Sequence, residues 1–275
     1  MGDVTAVTPS ATLVRADNPG PMTLDGTNTW VLRAPGAAGC LVVDPGPDDA
    51  AHLARVADVA RGDGSGRVAA VVVTHRHADH TAGAARFAGT VGAPLRAALP
   101  ELCSWGAEPL RHDEDLDVDG LHTIVITTPG HTSDSVTLLL PDDGPAGSML
   151  TGDTVLGEGS TVLMERDGGD LGDYLASLDL LAQGCRYWGP PVTGLPGHGP
   201  VIMDLAVRIA EYQRHRLARL DEVRAALVLL GVRADATDPA VVSAVVGRVY
   251  REVGKELRPA AEQSVRVQLA YLARR

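Results

Sequence analysis

Through its first 200 residues the chain alternates short aliphatic and β-branched runs with segments whose apolar positions recur every three or four residues. The runs at 11–15, 29–33, 40–44, 68–74, 122–128, 136–140 and 148–151 predict strands. An acidic cap at Asp48 and Asp49 opens a predicted helix with Leu53, Val56 and Val59 on one face. A second helix is predicted from His80 through Phe87, and a third over 173–182, where Tyr174, Leu178 and Leu181 fall in register. Beyond Pro200 the strand pattern stops. Leu205, Ile209, Tyr212, Leu217, Leu220, Val223, Leu227 and Leu230 follow helical spacing, a break comes at 231–239, and helices are predicted again over 241–250 and 260–272. The pattern therefore predicts an α/β domain over residues 1–200 and a small helical domain over 201–275, divided near 200–204.

Composition narrows the class. The 275 residues are 45% hydrophobic, enough for one large domain with an appendage, and disorder as the overall state is excluded. No run approaches the roughly 20 apolar residues of a membrane span, and no secretory leader is expected. Cys40, Cys103 and Cys185 are odd in number and scattered, which excludes a disulfide scaffold and fits a cytoplasmic location. The net charge of −11, taken alone, argues against a polyanionic partner. Yet residues 1–200 carry 11 basic and 26 acidic side chains while 201–275 carry 13 and 9, so the sign changes at the predicted boundary. Arg208, Arg214, Arg216, Arg219 and Arg224 crowd the first C-terminal helix. They either track a phosphate backbone or form a solvated face that docks on the acidic domain. With one Phe in the chain, aromatic platforms for single-stranded nucleic acid are scarce.

The chemistry concentrates in Val71-Val-Val-Thr-His75-Arg-His77-Ala-Asp79-His80. An apolar strand runs into a loop with three His and one Asp in six positions, an arrangement a shuffled chain would show about once in a thousand. In extended backbone, residues two apart project to one side, so His75 and His77 converge on one ion. Asp79 and His80, at the start of a helix, can face a second. Imidazole and carboxylate suit a borderline cation such as zinc. Further donors stand beside the Gly or Pro that ends a strand: His131 in Pro-Gly-His, Asp153 in Thr-Gly-Asp, and His198 in Pro-Gly-His. His52, His112, His122 and His215 have no such setting and are read as surface or core histidines, and the acidic stretch 113–119 as a solvated strand or turn.

Together with Asp44 in Val-Val-Asp-Pro-Gly, these motifs resemble the metallo-β-lactamase superfamily, in order across 11–200. Within it the chain is most similar to the β-lactamase-like protein 2 family, which includes a mitochondrial endoribonuclease. The shared features are the segment 18–29, the loop Leu156-Gly-Glu-Gly-Ser-Thr161 and Pro196-Gly-His-Gly-Pro200. The resemblance implies an αββα sandwich with a helical C-terminal domain of winged-helix type. It implies two zinc ions per chain: His75, His77 and His131 on the first, Asp79, His80 and His198 on the second, and Asp153 bridging them. Asp44 would support the His loop without binding metal. A water shared by two ions would supply hydroxide as nucleophile, with Asp79 orienting it or accepting its proton. Glu158, Ser160 and Thr161 are the expected substrate contacts. Asp153 counts against β-lactamase activity, since zinc β-lactamases lack that carboxylate, and His77 against redox chemistry, since the diiron oxygen reductases have a carboxylate there. The implied reaction is hydrolysis of phosphodiesters in single-stranded RNA. The alternatives are a small-molecule ester or thioester, including hydroxyacylglutathione or carrier-bound acyl chains, and a non-catalytic binding module. No membrane partner is expected, and a homodimer stays open.

Overall fold

The computed structural model describes residues 3–104, 106–189, 191–254 and 257–275. Strands β1 (Val4–Ala6), β2 (Ala11–Arg15), β3 (Asn28–Leu32), β4 (Gly39–Val43), β5 (Arg67–Val72) and β6 (Leu95–Arg96) pair in sequence order into one sheet. The second sheet holds β7 (Glu114–Val118), β8 (Leu121–Thr127), β9 (Val136–Leu140), β10 (Ser148–Gly152) and β11 (Thr193–Pro196), in the order β11-β10-β9-β8-β7.

Alternation along the strands explains why the sheets stack. Leu41 and Val43 of β4 point into a core shared with Val125, Leu138, Leu150 and Leu195 of the second sheet. Cys40 and Val42, one residue out of phase, point the other way, toward helices α1 (Ala50–Arg61) and α3 (Ala84–Val91). Strands β4 and β5 are parallel; β4 is buried along its whole length and β5 at Val71 and Val72, hence the aliphatic runs there. Each fully buried aliphatic side chain here contributes about 1.5–3 kcal/mol. Across the second sheet, Met149 and Leu139 pack under α4 (Leu171–Trp188) through Leu178 and Leu181. The layers are helix, sheet, sheet, helix.

Helix α5 (Leu205–Leu230) belongs to two cores. Leu205, Ile209, Tyr212 and Leu220 join the cluster under α4, whereas Val223, Ala226 and Leu227 pack with α6 (Pro239–Val249) and α7 (Arg258–Ala273). No strand follows β11 among the described residues, so the helices of the expected winged-helix unit stand without a wing. No helix there is long and apolar enough to cross a membrane.

Two sequence expectations change. The helix expected from His80 to Phe87 is two helices, α2 (Ala78–Thr81) and α3, because Gly83 is pressed against the Pro47 carbonyl, where a Cβ would come within 2.7 Å. The third helix runs about two turns longer than its legible face, over Leu171–Trp188 with Gly189 as its C-cap. The acidic stretch 113–119 does contain a strand, β7, at the edge of its sheet.

Candidate metal centre

Strands β4 and β5 run parallel, and β8, β10 and β11 share one direction because β9 is antiparallel to both β8 and β10. All five therefore end at the same edge of the sandwich. The residues just past those ends are Asp44, the 75–80 segment, His131, Asp153 and His198. A bulge between Leu150 and Gly152 re-aims the chain immediately before Asp153. Gly130 lies against α4, its missing Cβ only 2.3 Å from Tyr174 Cα at φ +131°, which lets the His131 loop close down on the edge.

Two clusters result, one of His75, His77, His131 and Asp153 and one of Asp79, His80 and His198, each with donor atoms within 4.8 Å of one another. In the first, His77 Nδ1 lies 3.1 Å from His75 Nε2 and 3.0 Å from His131 Nε2. In the second, His198 Nε2 lies 3.2 Å from His80 Nε2 and 3.0 Å from Asp79 Oδ2. Asp153 reaches both, with Oδ2 3.7 Å from His131 Nε2 and 3.4 Å from His198 Nε2. Its Oδ1 is buried with no hydrogen-bond partner, 3.5 Å from His80 Nε2.

The outward nitrogens decide what the inward ones offer. His80 Nδ1 meets the Asp44 carboxylate at 2.9 Å, and His198 Nδ1 the Gly26 carbonyl at 3.2 Å. His131 Nδ1 meets Val162 O at 3.0 Å and Thr161 Oγ1 at 2.8 Å. His77 Nε2 faces Asp167 Oδ2 at 3.2 Å. His75 Nδ1 faces Thr74 Oγ1 at 3.0 Å, and that hydroxyl already donates to Asp44 Oδ2. Each outward nitrogen thus has an acceptor for its proton, so the inward nitrogen of all five rings is the one placed to meet a cation, or, in His80 and His198 without one, a second proton. Lone pairs about 3 Å apart repel unless a cation lies between them. Tetrahedral nitrogen ligands on zinc stand about 3.4 Å apart, close to the separations here.

The electrostatics agree. Burial pushes the His75 pKa well below its ordinary 6.5, and takes His131 to about 4, so both keep the neutral form that binds metal. Burial opposes charge on His198 and His80 too, but Asp153 together with Asp79 lifts His198 to about 9, and Asp153 together with Asp44 lifts His80 well above its ordinary value. Burial would raise Asp79 and Asp153; the neighbouring His80 and His198 instead hold both carboxyls well below the usual range. This half of the site is built for positive charge between imidazoles and carboxylates.

Asp44 sits at φ +50° though it is not glycine, a conformation costing of the order of 1–3 kcal/mol. Bonds from Thr74 N, Thr74 Oγ1 and His80 hold it there. It touches no inward nitrogen, in keeping with its expected supporting role.

A cleft of about 330 Å³ opens above the clusters. Asp79, His77, His131 and Asp153 form its floor, and Pro21, Met22 and Leu24 face Leu156, Val162 and Met164 across it. Glu158 and Ser160 line it as expected. Thr161 lines it as well, but only 3% exposed and with its hydroxyl on His131, so it supports a histidine more directly than it meets substrate. Asp167, Thr74, Gly26 and the apolar walls were not legible beforehand. Nothing distinguishes Asp167 among 35 acidic residues until the loop folds onto His77.

The C-terminal arginines answer the earlier question in part. Arg208 donates to Leu156 O and Gly159 O, and buried Arg216 to Thr161 O, so these two dock on the α/β part. Arg219 and Arg224 pair with Glu222 and Asp221 of their own helix. Of the other histidines, His52 is a core residue, His112 and His215 are exposed, and His122 is half-buried. Cys40 and Cys185 are buried and Cys103 half-buried, all unpaired.

A four-layer sandwich with paired His and Asp clusters at the strand ends of one edge defines a class of metal-site hydrolase folds. The sequence profile of the Metallo-beta-lactamase superfamily matches residues 22–184, and the chain belongs to that superfamily of hydrolase-type enzymes. It is 30% identical to the Beta-lactamase-like protein 2 homolog of Drosophila melanogaster, over 98% of this chain and 89% of that one. It is 32% identical to an atrochrysone carboxyl ACP thioesterase of Aspergillus chevalieri, over 98% and 84%. It spans only 64% of the length of other curated relatives, among them Lactamase-like protein nscB of Aspergillus fumigatus, at 31% identity over 83% of this chain. A beta-lactamase domain protein from Burkholderia ambifaria shares the fold, with TM-score 0.77 and 24% identity over 99% of this chain and 88% of that one.

Proposed function

We propose that the protein is a hydrolase working with two divalent cations and acting on a thioester or carboxylic ester with an apolar acyl group. The observation that carries the metal reading is the convergence of five inward ring nitrogens, each ring held by an acceptor on its far side. His75, His77, His131 and Asp153 would hold one ion, and Asp79, His80, His198 and Asp153 the other. Zinc is the proposed metal because the donors are nitrogen-rich and of mixed hardness. Two such cations supply an activated water and polarise the scissile carbonyl. Asp79, which is both a metal-facing carboxylate and part of the cleft lining, orients the incoming water by accepting a hydrogen bond from it. Pro21, Met22, Leu24 and Met164 bind the acyl chain and exclude bulk water. We further propose that residues 1–200 form the hydrolase domain and 201–275 a helical domain docked on it.

The order of substrates is reversed from the one implied by family resemblance. The cleft walls are apolar, Glu158 stands at the mouth, and the α5 arginines are engaged with backbone carbonyls or acids. A polyanion finds one arginine in the cleft lining, Arg166, already 3.5 Å from Asp167, whereas an acyl chain finds an apolar wall. One relative is moreover named as a thioesterase. A panel of acyl-thioester, unstructured RNA and lactam substrates, with and without chelator, separates the readings. Thioester turnover that chelator and Asp153→Asn both abolish is expected. Chelator-sensitive RNA cleavage lost in the same variant, without thioester turnover, would make the protein a nuclease. Purified protein free of bound metal, and equally stable with and without added zinc, would sink the metal reading altogether.

A further inference from the structure

Arg216 is 5% exposed, yet it projects from α5 into the α/β part without a carboxylate partner among the described residues. Its neighbours Arg208, Arg219 and Arg224 all pair with acids on their own helix. Its guanidinium lies 5.0 Å from the centre of the Tyr174 ring, and its Nε has no hydrogen-bond partner. A buried, unpaired guanidinium is costly, and an apolar side chain of similar volume would serve folding as well or better. The one strong bond it makes is to the carbonyl of Thr161.

That carbonyl belongs to the peptide joining Thr161 to Val162. The two acceptors of the His131 Nδ1 proton flank it: Thr161 Oγ1 at 2.8 Å and Val162 O at 3.0 Å. Fixing this peptide plane aims both acceptors at the ring and turns Nε2 toward the first cluster. Arg208 steadies the same loop at Leu156 O and Gly159 O, at 3.1 and 2.7 Å. We infer that Arg216 is a positioning residue for the metal centre, acting through Thr161 on His131, so that helix α5 is a working part of the site. This rests on His131 being a metal ligand.

The test is competition for zinc between the purified full-length protein and a chromophoric chelator, alongside thermal unfolding of the metal-free forms. Arg216→Met is expected to weaken the tighter-bound zinc about tenfold, within the range for outer partners of metal ligands. The metal-free melting temperature should stay level or rise. Thr161→Val should lose a similar factor, and the double variant no more than the worse single one, since both cut the same relay. Arg216→Lys, which keeps a donor for the carbonyl, should recover part of the affinity. Zinc affinity within twofold of wild type in Arg216→Met, or losses that multiply in the double variant, would overturn the inference. Should Arg216→Met not fold, Arg216→Leu, which likewise lacks a donor for the carbonyl, replaces it in the same cycle, and an unchanged affinity there overturns it equally. Failure of the wild-type protein to bind zinc would instead bring down the metal reading, and this inference with it.

Discussion

At the residue scale, the site is organised by what stands behind the donors. Asp44 accepts from His80 and from both donors of Thr74, which in turn receives the His75 proton, so one carboxylate orients a histidine of each cluster. Asp44→Asn leaves the volume unchanged but puts an NH2 where an acceptor is needed. Metal affinity should fall about 10–100-fold with little change in secondary structure, read by metal analysis after dialysis and by circular dichroism. Gly197 is a second sensitive point, because a Cβ there would stand 2.3 Å from Asp153 Oδ1. Gly197→Ala should displace the shared carboxylate and lower the metal content below two ions per chain, whereas Gly89→Ala, with open space around it, should not. The donors themselves were legible because the nine His are rare enough that three of them with an Asp in six positions carry information. Asp44 was legible only through family resemblance, and Thr74 and Asp167 not at all, since hydrogen bonds between distant loops leave no pattern in the chain.

At the scale of elements, α1 carries a prediction that the metal does not enter. His52 lies under Thr29, with Nε2 2.9 Å from its hydroxyl and Nδ1 buried without a partner. Burial, with Arg55 nearby, lowers its pKa from 6.5 to about 4. The folded chain therefore binds this proton less readily than the unfolded chain. The contribution to stability is complete above about pH 6.5, shrinks as the pH falls, and is gone near pH 4, amounting to about 3 kcal/mol. Urea unfolding of the chelated protein at pH 7 and pH 4.5 should show this loss, and His52→Gln should reduce the difference by about 2–3 kcal/mol. An unchanged difference would mean that other groups carry the acid sensitivity. In α4, Leu178 is fully buried under the second sheet, and Leu178→Ala should cost about 2–5 kcal/mol. The strands and long helices were readable from their period. The division of α2 from α3 was not, because Gly83 is required by a contact with the Pro47 carbonyl more than thirty residues earlier in the chain.

At the scale of the whole molecule, the two sheets and the C-terminal helices close around one edge, and stability is coupled to the ions proposed there. Chelation should lower the melting temperature, and added zinc should restore it with the concentration dependence of a ligand that binds only the folded state. Salt separates the substrate classes. A thioester's KM should change little between 50 and 200 mM salt, whereas an RNA substrate held by several phosphate contacts would weaken by orders of magnitude. By itself, the sequence determined an α/β part followed by helices, the crowding of His and Asp at strand ends and the point where the charge changes sign, because period, composition and local motifs are properties of the chain; the αββα class came through family resemblance. Only the tertiary structure decided which ring nitrogens face inward, that Thr161 serves His131, and that Arg216 is buried where Arg214 and Arg224 of the same helix are exposed. Those outcomes depend on which atoms of distant segments meet, and on the desolvation that follows, and neither quantity is written in any local stretch of residues.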